Sequence, residues 1–309
     1  MRIWIDTDGG VDDALALACA IASRNVKLRG ISTVFGNVSP RKAARNAALI
    51  QSFYRPPHVS VSVGAVGPIQ GSWHHARAIH GEDGLGGATA NHVLEFEADI
   101  VAEISPEATA ERIANYAEEV GEGGQIVCIG PLTNLALALH RHPLSFARLG
   151  GIVTMGGALQ VPPPRRGGYE FNFGSDLEAA RGILAAAPRL TILPLDTCRQ
   201  VVLRRARLDR IAHLAADTRT HFLQRAHRHY MESYKASEGI DGCYPHDTLA
   251  VATVAIPGAF TFEPIGVELD ESGEFPGLLR RSASGRPVRI ATGVDQRQAL
   301  DWIESCLLI

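Results

Sequence analysis

The feature that most restricts the fold is a repeated unit: a short apolar run, a turn rich in Gly, Asn or Asp at its end, and then a helix-forming stretch. Arg2-Ile-Trp-Ile5 runs into an acidic turn, and Ala14 to Ala22, rich in alanine and leucine, follows it. Leu28 to Phe35 leads through Gly36-Asn37 to a helical stretch from Arg41 to Phe53. Val59 to Val63, Gln125 to Ile129, Gly151 to Met155 and Leu190 to Leu195 have the same strand character, and Gly130-Pro-Leu-Thr-Asn134 leads from Ile129 into a helix over Leu135 to Leu139. Short runs without polar alternation suit strands buried on both faces. Their repetition predicts an α/β fold: a mostly parallel, twisted central sheet flanked by helices in a Rossmann-like manner. Between Glu263 and Leu279 the turn signal Glu271-Ser-Gly-Glu274 predicts a small hairpin near the C-terminus. No repeat or linker divides the chain, so residues 1–309 are expected to form a single domain, and the low-complexity stretch Val161 to Gly168 is expected to be a surface loop.

Composition narrows the function. Apolar residues make up 46% of the chain, enough for a sizeable core. The formal net charge of −3 offers no basic field for counterion release, which argues against a nucleic-acid partner and for a small polar substrate. Five cysteines, none in a C-x-x-C pair, read as reduced thiols in a cytoplasmic protein rather than as a zinc site. The N-terminus enters a strand-like run directly, without a leader pattern, and no apolar run is long enough to span a bilayer.

In open α/β sheets ligands bind beyond the carboxyl ends of the strands. Asp6, Asp8, Asn37, Ile129, Asn134 and Asp196 stand at such ends. The acidic turn is the densest of these places, with Asp6, Asp8, Asp12 and Asp13 inside eight residues. An aspartate can cap a helix and oppose its dipole, which accounts for one or two carboxylates. Four so close together repel one another, and a hard divalent cation such as Ca²⁺ or Mg²⁺ relieves that repulsion. An EF-hand loop beginning at Asp6 fails, because its twelfth position is Leu17. Asp6-Thr-Asp-Gly9 also looks similar to the haloacid dehalogenase phosphatase motif, but Gly10 replaces its threonine.

The whole segment Asp6-Thr-Asp-Gly-Gly-Val-Asp-Asp-Ala-Leu-Ala-Leu17 resembles the N-terminal signature of the inosine-uridine-preferring nucleoside hydrolases. Further matches follow in that family's order: Thr33 to Val38, Ile79 to Gly86, Gly130 to Ala136, Met155-Gly-Gly157, Glu170-Phe-Asn172 and Pro245-His-Asp247. The resemblance implies hydrolysis of ribonucleosides to free base and ribose with one Ca²⁺. It implies metal ligands at Asp8, Asp13, the backbone carbonyl of Ile129, and Asp247. It further implies a catalytic pair of Asp8, taking a proton from a metal-activated water, and His246, assisting the leaving base. Asp12, Asn37, Met155, Glu170 and Asn172 are expected around the ribose. His80, from a loop taken to be mobile, and Tyr234, near the base, are expected to complete the substrate site. A homodimer or homotetramer is the expected assembly. The chemistry is consistent: N-glycosidic cleavage passes through an oxocarbenium-like transition state, which needs negative charge around the sugar, a nucleophilic water and a proton for the base.

Each residue also has an ordinary reading. Asn37 and Asn172 suit turns, Thr133 and Asn134 suit a helix cap, and an aromatic at helical spacing such as Tyr234 suits a core. The chain departs from the family pattern in three places. Gly9 stands where proline is usual, with the same turn and a small effect expected. Thr248 replaces the proline that usually follows His-Asp. Ala158 to Tyr169 lacks the asparagine that meets the ribose 5′-hydroxyl, and Arg165 and Arg166 there suit either solvent or a 5′-phosphate. A 5′-nucleotide or modified ribosyl substrate and a nucleoside-binding protein without turnover are the alternatives.

Overall fold

The structure is a computed structural model that describes residues 1–55, 57–73, 75–91, 100–160, 170–270 and 276–309. Its strands are β1 (Arg2–Thr7), β2 (Lys27–Thr33), β3 (Val61–Val63), β4 (Ile100–Ile104), β5 (Gly124–Cys128), β6 (Gly151–Met155), β7 (Leu190–Leu193), β8 (Leu203–Arg204), β9 (Gly242–Cys243), β10 (Phe260–Leu269), β11 (Leu279–Arg281) and β12 (Pro287–Val294). Among the described residues, ten of them form one sheet in the order β11-β10-β12-β7-β6-β5-β1-β2-β3-β4. From β4 across to β12 every neighbouring pair is parallel. β10 then runs antiparallel to both β12 and β11. The α/β fold expected from the repeated unit is therefore the fold observed. The C-terminal hairpin is present as β10 and β11, although it does not stand apart: β12 joins it to the main sheet. The turn Glu271-Ser-Gly-Glu274 and the stretch Val161 to Gly168 lie outside the described residues.

Helices cover both faces, which explains the near-continuous apolar strands. Alternation along β1 sends Ile3 and Ile5 into one core and Trp4 into the other. The first core takes the helices Val11–Ala22 and His246–Ala255, which pack against each other. All ten residues of His246–Ala255 are buried, as are Val11 through Ala20. The second core takes Pro106–Val120, Thr133–Arg141 and Leu177–Ala186. The two helices that carry the candidate ligands thus lie in the best-packed part of the molecule, where close packing leaves little freedom to shift.

The strand order reverses at β1, which pairs with β2 on one side and β5 on the other. Crossovers leave in opposite directions there, and in open α/β sheets that is where ligands bind beyond the carboxyl ends of the strands. β1 also extends two residues past the sequence expectation, so Asp6 and Thr7 pair in register with Ser32 and Thr33. Asp6 is consequently a buried strand residue, and the turn proper runs from Asp8 to Gly10.

Candidate active site

Asp13 organises the acidic turn. Its Oδ2 accepts from Gly10 N at 2.7 Å, and its Oδ1 accepts from Asp8 N at 3.2 Å and from the Thr7 hydroxyl. Gly10, at the N-cap of the helix Val11–Ala22, has no side chain to offer as a cap. Asp13 reaches back instead, while Val11 N donates to His80 Nδ1 at 3.1 Å. The helix N-terminus is thereby satisfied by groups that also face the site. Glycine at position 10 is enforced by space: a Cβ there would stand 2.4 Å from Asn37 Nδ2 and 2.7 Å from His80 Nδ1.

Asp8 is held by Asn37. Asn37 N donates to its Oδ2 at 2.8 Å, and Asn37 Nδ2 to its Oδ1 at 2.9 Å, with a third contact from Nδ2 to Asp13 Oδ2 at 3.3 Å. The asparagine therefore orients two carboxylates with its donors. Asp6 is served by a different set, with Ser32 Oγ at 2.5 Å and Asn134 Nδ2 at 2.9 Å donating to its Oδ1. Asn134 also donates to Thr33 O and accepts from Ala65 N, so it ties the ends of β1 and β2 to the strand β3 exit rather than capping its own helix.

The helix His246–Ala255 brings Asp247 to the acidic turn. Ligand-capable oxygens of Asp12, Asp13 and Asp247 lie within 4.8 Å of one another, and all three residues are buried. Burial first, and then the charge of Asp13, raise the Asp12 carboxyl to about 7. Burial and the same neighbour push Asp8 well above the usual carboxylate range, and burial with Asp12, Asp13 and Asp8 does so for Asp247. Asp12 Oδ1 is buried and has no hydrogen-bond partner among the described residues. Crowded, desolvated carboxylates with a free oxygen are what a hard cation satisfies, so the donor set fits a divalent ion bound through oxygen. The carbonyl of Ile129, expected as a ligand, lies just past the end of β5, where Asn172 Nδ2 reaches it at 3.4 Å.

Aromatic side chains wall the site on the helix Thr218–Glu238. Tyr230 OH donates to Asp12 Oδ2 at 3.2 Å, and Tyr234 OH lies 2.9 Å from His246 Nε2. The two hydroxyls are 3.4 Å apart. His246 Nδ1 is buried and has no partner among the described residues. Burial lowers the His246 imidazole to about 3, so it is neutral at physiological pH. His80 is likewise buried and neutral, with its ring 5.0 Å from that of Tyr230 and its Nδ1 3.8 Å from Asp12 Oδ1.

On the opposite side, Glu170 accepts from Asn172 N and Phe173 N and caps the short turn of helix Phe171–Gly174. Asn172 Nδ2 donates to the carbonyl of Met155 at 3.0 Å, joining the ends of β5 and β6. Asp8, Asp12, Asp13, Asn37, His80, Tyr234, His246 and Asp247 are thus brought together, with Ile129, Met155, Glu170 and Asn172 along the adjoining strand ends. Asp196 lies elsewhere, accepting from Leu159 N and Gln160 N. Arg165 and Arg166 fall outside the described residues. The expectation for Gly9 needs correction. Its φ is +76° and its Cβ would meet Ala43 Cα at 2.5 Å, so a proline, fixed near −65°, does not fit this backbone.

Comparison with known proteins converges on one family. The family model described as "Inosine-uridine preferring nucleoside hydrolase" matches residues 3–301. The chain belongs to this family. Hydrolysis of N-glycosyl bonds in ribonucleosides is the reaction of the family, and the chain is a hydrolase of that class. It is 28% identical to uridine nucleosidase 1 of Arabidopsis thaliana over 99% of its own length and 93% of the relative's. It is 29% identical to the non-specific ribonucleoside hydrolase RihC of Escherichia coli, over 100% of itself and 99% of RihC. The purine-preferring ribonucleoside hydrolase of Gardnerella vaginalis superposes with a TM-score of 0.90 at 27% identity, covering 100% of this chain and 98% of that one. The specificities in the names of these three proteins differ from one another. No helix among the described residues is long and apolar enough to cross a membrane.

Thr7 and Ser32 support the site through Asp13 and Asp6 without having been singled out from the sequence. Both were discoverable in principle, since each lies at the carboxyl end of its strand. Tyr230 lies on the helix Thr218–Glu238, and only the docking of that helix places its hydroxyl on Asp12.

Proposed function

We propose that the protein is a calcium-dependent ribonucleoside hydrolase acting with Asp8 as base and His246 as the residue that assists departure of the nucleobase. The observation that carries this reading is the buried convergence of Asp12, Asp13 and Asp247 at the sheet's switch point, next to His246. Asp8, Asp13, Asp247 and the Ile129 carbonyl would hold the ion. Calcium, when bound, supplies Lewis acidity toward water and a grip on the vicinal hydroxyls of ribose.

The chain's own groups account for the remaining tasks. Asp8, fixed through both oxygens by Asn37, is positioned to take a proton from water at a carboxylate oxygen. Asp12 keeps one oxygen on Tyr230 and leaves Oδ1 free to accept from a ribose hydroxyl. The surrounding carboxylates offer negative charge to a sugar that becomes cationic as the bond breaks. His246 is neutral and carries one ring proton, and Tyr234 fixes its Nε2 edge. That leaves Nδ1, which has no partner among the described residues, to hydrogen-bond the departing base.

The test is base release from uridine, cytidine and inosine, with and without a strong chelator, by wild type and Asp8→Ala. Turnover that is lost with chelation, restored by Ca²⁺ and absent in Asp8→Ala supports the reading. Tight binding of nucleosides with no base released over hours would replace it with a binding protein.

A further inference from the structure

The loop that carries His80 is tied to the acidic turn by a residue so far without a role. Asn46 lies on the helix Pro40–Ser52, is 5% exposed, and uses its amide nitrogen twice. Nδ2 donates to Gly9 O in the acidic turn at 2.9 Å and to Asp83 O in the loop at 2.9 Å. One rigid side chain therefore joins two segments distant in sequence. The segments also touch directly: a Cβ at Gly84 would stand 2.7 Å from Gly9 O and 2.9 Å from Asn46 Nδ2. His80 Nδ1 accepting from Val11 N is a second tie across the same seam.

The loop has its own internal brace. Asp83 accepts from Leu85 N and Gly87 N at 2.9 Å, and from the amide and hydroxyl of Thr89. Burial pushes the Asp83 carboxyl up, but the hydrogen bonds from Thr89, Gly87 and Leu85 outweigh it and hold it below the usual range. A braced loop moves as a unit rather than fraying from within. Its outer side rests on the helix Thr218–Glu238, where His229 Nε2 meets Ala78 O at 3.2 Å. A displacement of Gly9 is therefore transmitted to a stiff body that also carries His80.

We infer that Asn46 is a positioning residue that couples the metal-binding turn to the His80 loop, so that binding of the cation and docking of the loop on the turn reinforce each other. The inference rests on the metal reading above. Coupling of this kind is reciprocal and is commonly worth 5- to 150-fold in affinity. The carbonyl of Gly9 is the contact point, because its peptide leads directly into Gly10 N, which donates to Asp13 Oδ2.

The test is calcium affinity by calorimetry together with amide exchange of segment 81–89, with and without Ca²⁺ and with no substrate present. Wild type should bind Ca²⁺ and show slower exchange across the loop in response. Asn46→Ala should bind Ca²⁺ about tenfold more weakly and lose most of the loop response. Asn46→Asp keeps the shape but cannot donate, so it should match Asn46→Ala; wild-type behaviour in Asn46→Asp overturns the inference. Lys42→Ala removes another tie on the loop, to Glu82 O at 2.5 Å, without touching the turn. It should retain wild-type calcium affinity and response, and an equal loss there also overturns the coupling through Asn46. Absence of calcium binding in wild type marks failure of the metal reading itself, whereas binding without any loop response marks failure of the coupling alone. Melting temperatures of each variant establish that it is folded.

Discussion

Asn134 stands at a helix start and suits a cap, yet its side chain spans three segments. It donates to Asp6 Oδ1 and Thr33 O and accepts from Ala65 N. Asn134→Leu leaves a buried carboxylate oxygen, a carbonyl and an N–H short of partners, and should cost about 2–4 kcal/mol of stability by urea unfolding. A loss below 0.5 kcal/mol would show that water replaces the amide. The proposed ligand residues differ in kind, because their cost is expected in binding rather than folding. Asp247→Asn removes one charge from the cluster while keeping its shape. Calcium affinity should fall at least about 100-fold, with a melting temperature of the metal-free protein unchanged or raised, since a buried charge is relieved. A lowered melting temperature without Ca²⁺ would show that Asp247 is mainly structural.

At the scale of elements, the turn between β1 and the helix Val11–Ala22 works only with two glycines. Gly9 adopts a left-handed φ of +76° against Ala43, and Gly10 sits under Asn37 and His80. Gly9→Pro, which supplies the residue usual at this place, should destabilise this chain by about 3 kcal/mol or more, because its ring cannot reach the required φ. Unchanged thermal stability in that variant would mean that the turn readily adopts a second path. Gly10→Ala forces the added methyl against the amide of Asn37, so Asp8 loses its fixed orientation. Its kcat for uridine should drop by at least about tenfold while the far-UV circular dichroism is unchanged.

The whole molecule buries several ionisable groups between its layers, and this makes stability depend on pH. His227 is fully enclosed, its Nδ1 bonded to Leu223 O, and burial lowers its imidazole to about 4. A base with a depressed folded pKa binds fewer protons in the native state than in the unfolded one. Its contribution is therefore complete above about 6.5 and is lost as pH falls toward about 4, by at most about 3 kcal/mol. His227→Gln should flatten the fall in stability between pH 6.5 and 4 relative to wild type. Parallel curves for the two proteins would remove His227 from the acid sensitivity.

The residues divide by how far their signal travels along the chain. The strand and helix order was legible because apolar runs and Gly/Asn/Asp turns are local, and hydrophobic burial enforces them wherever they occur. The acidic turn was legible for the same reason: charge crowding within Asp6 to Asp13 is visible without any fold. Even there, local reading stopped β1 at Ile5, since a buried aspartate in a strand makes sense only once Ser32 and Asn134 supply its hydrogen bonds. The C-terminal hairpin was visible, but not that β12 would fuse it to the main sheet. What tertiary structure alone decided is which carboxylates meet. Asp247 lies more than 230 positions from Asp13 in the sequence, and only the packing of two largely buried helices brings them within 4.8 Å. Tyr230 on Asp12 and Asn46 between Gly9 and Asp83 belong to the same class. The sequence alone determined the kind of site, because the residue types carry the chemistry. The fold determined its membership, because distance in space is a property of packing and not of order along the chain.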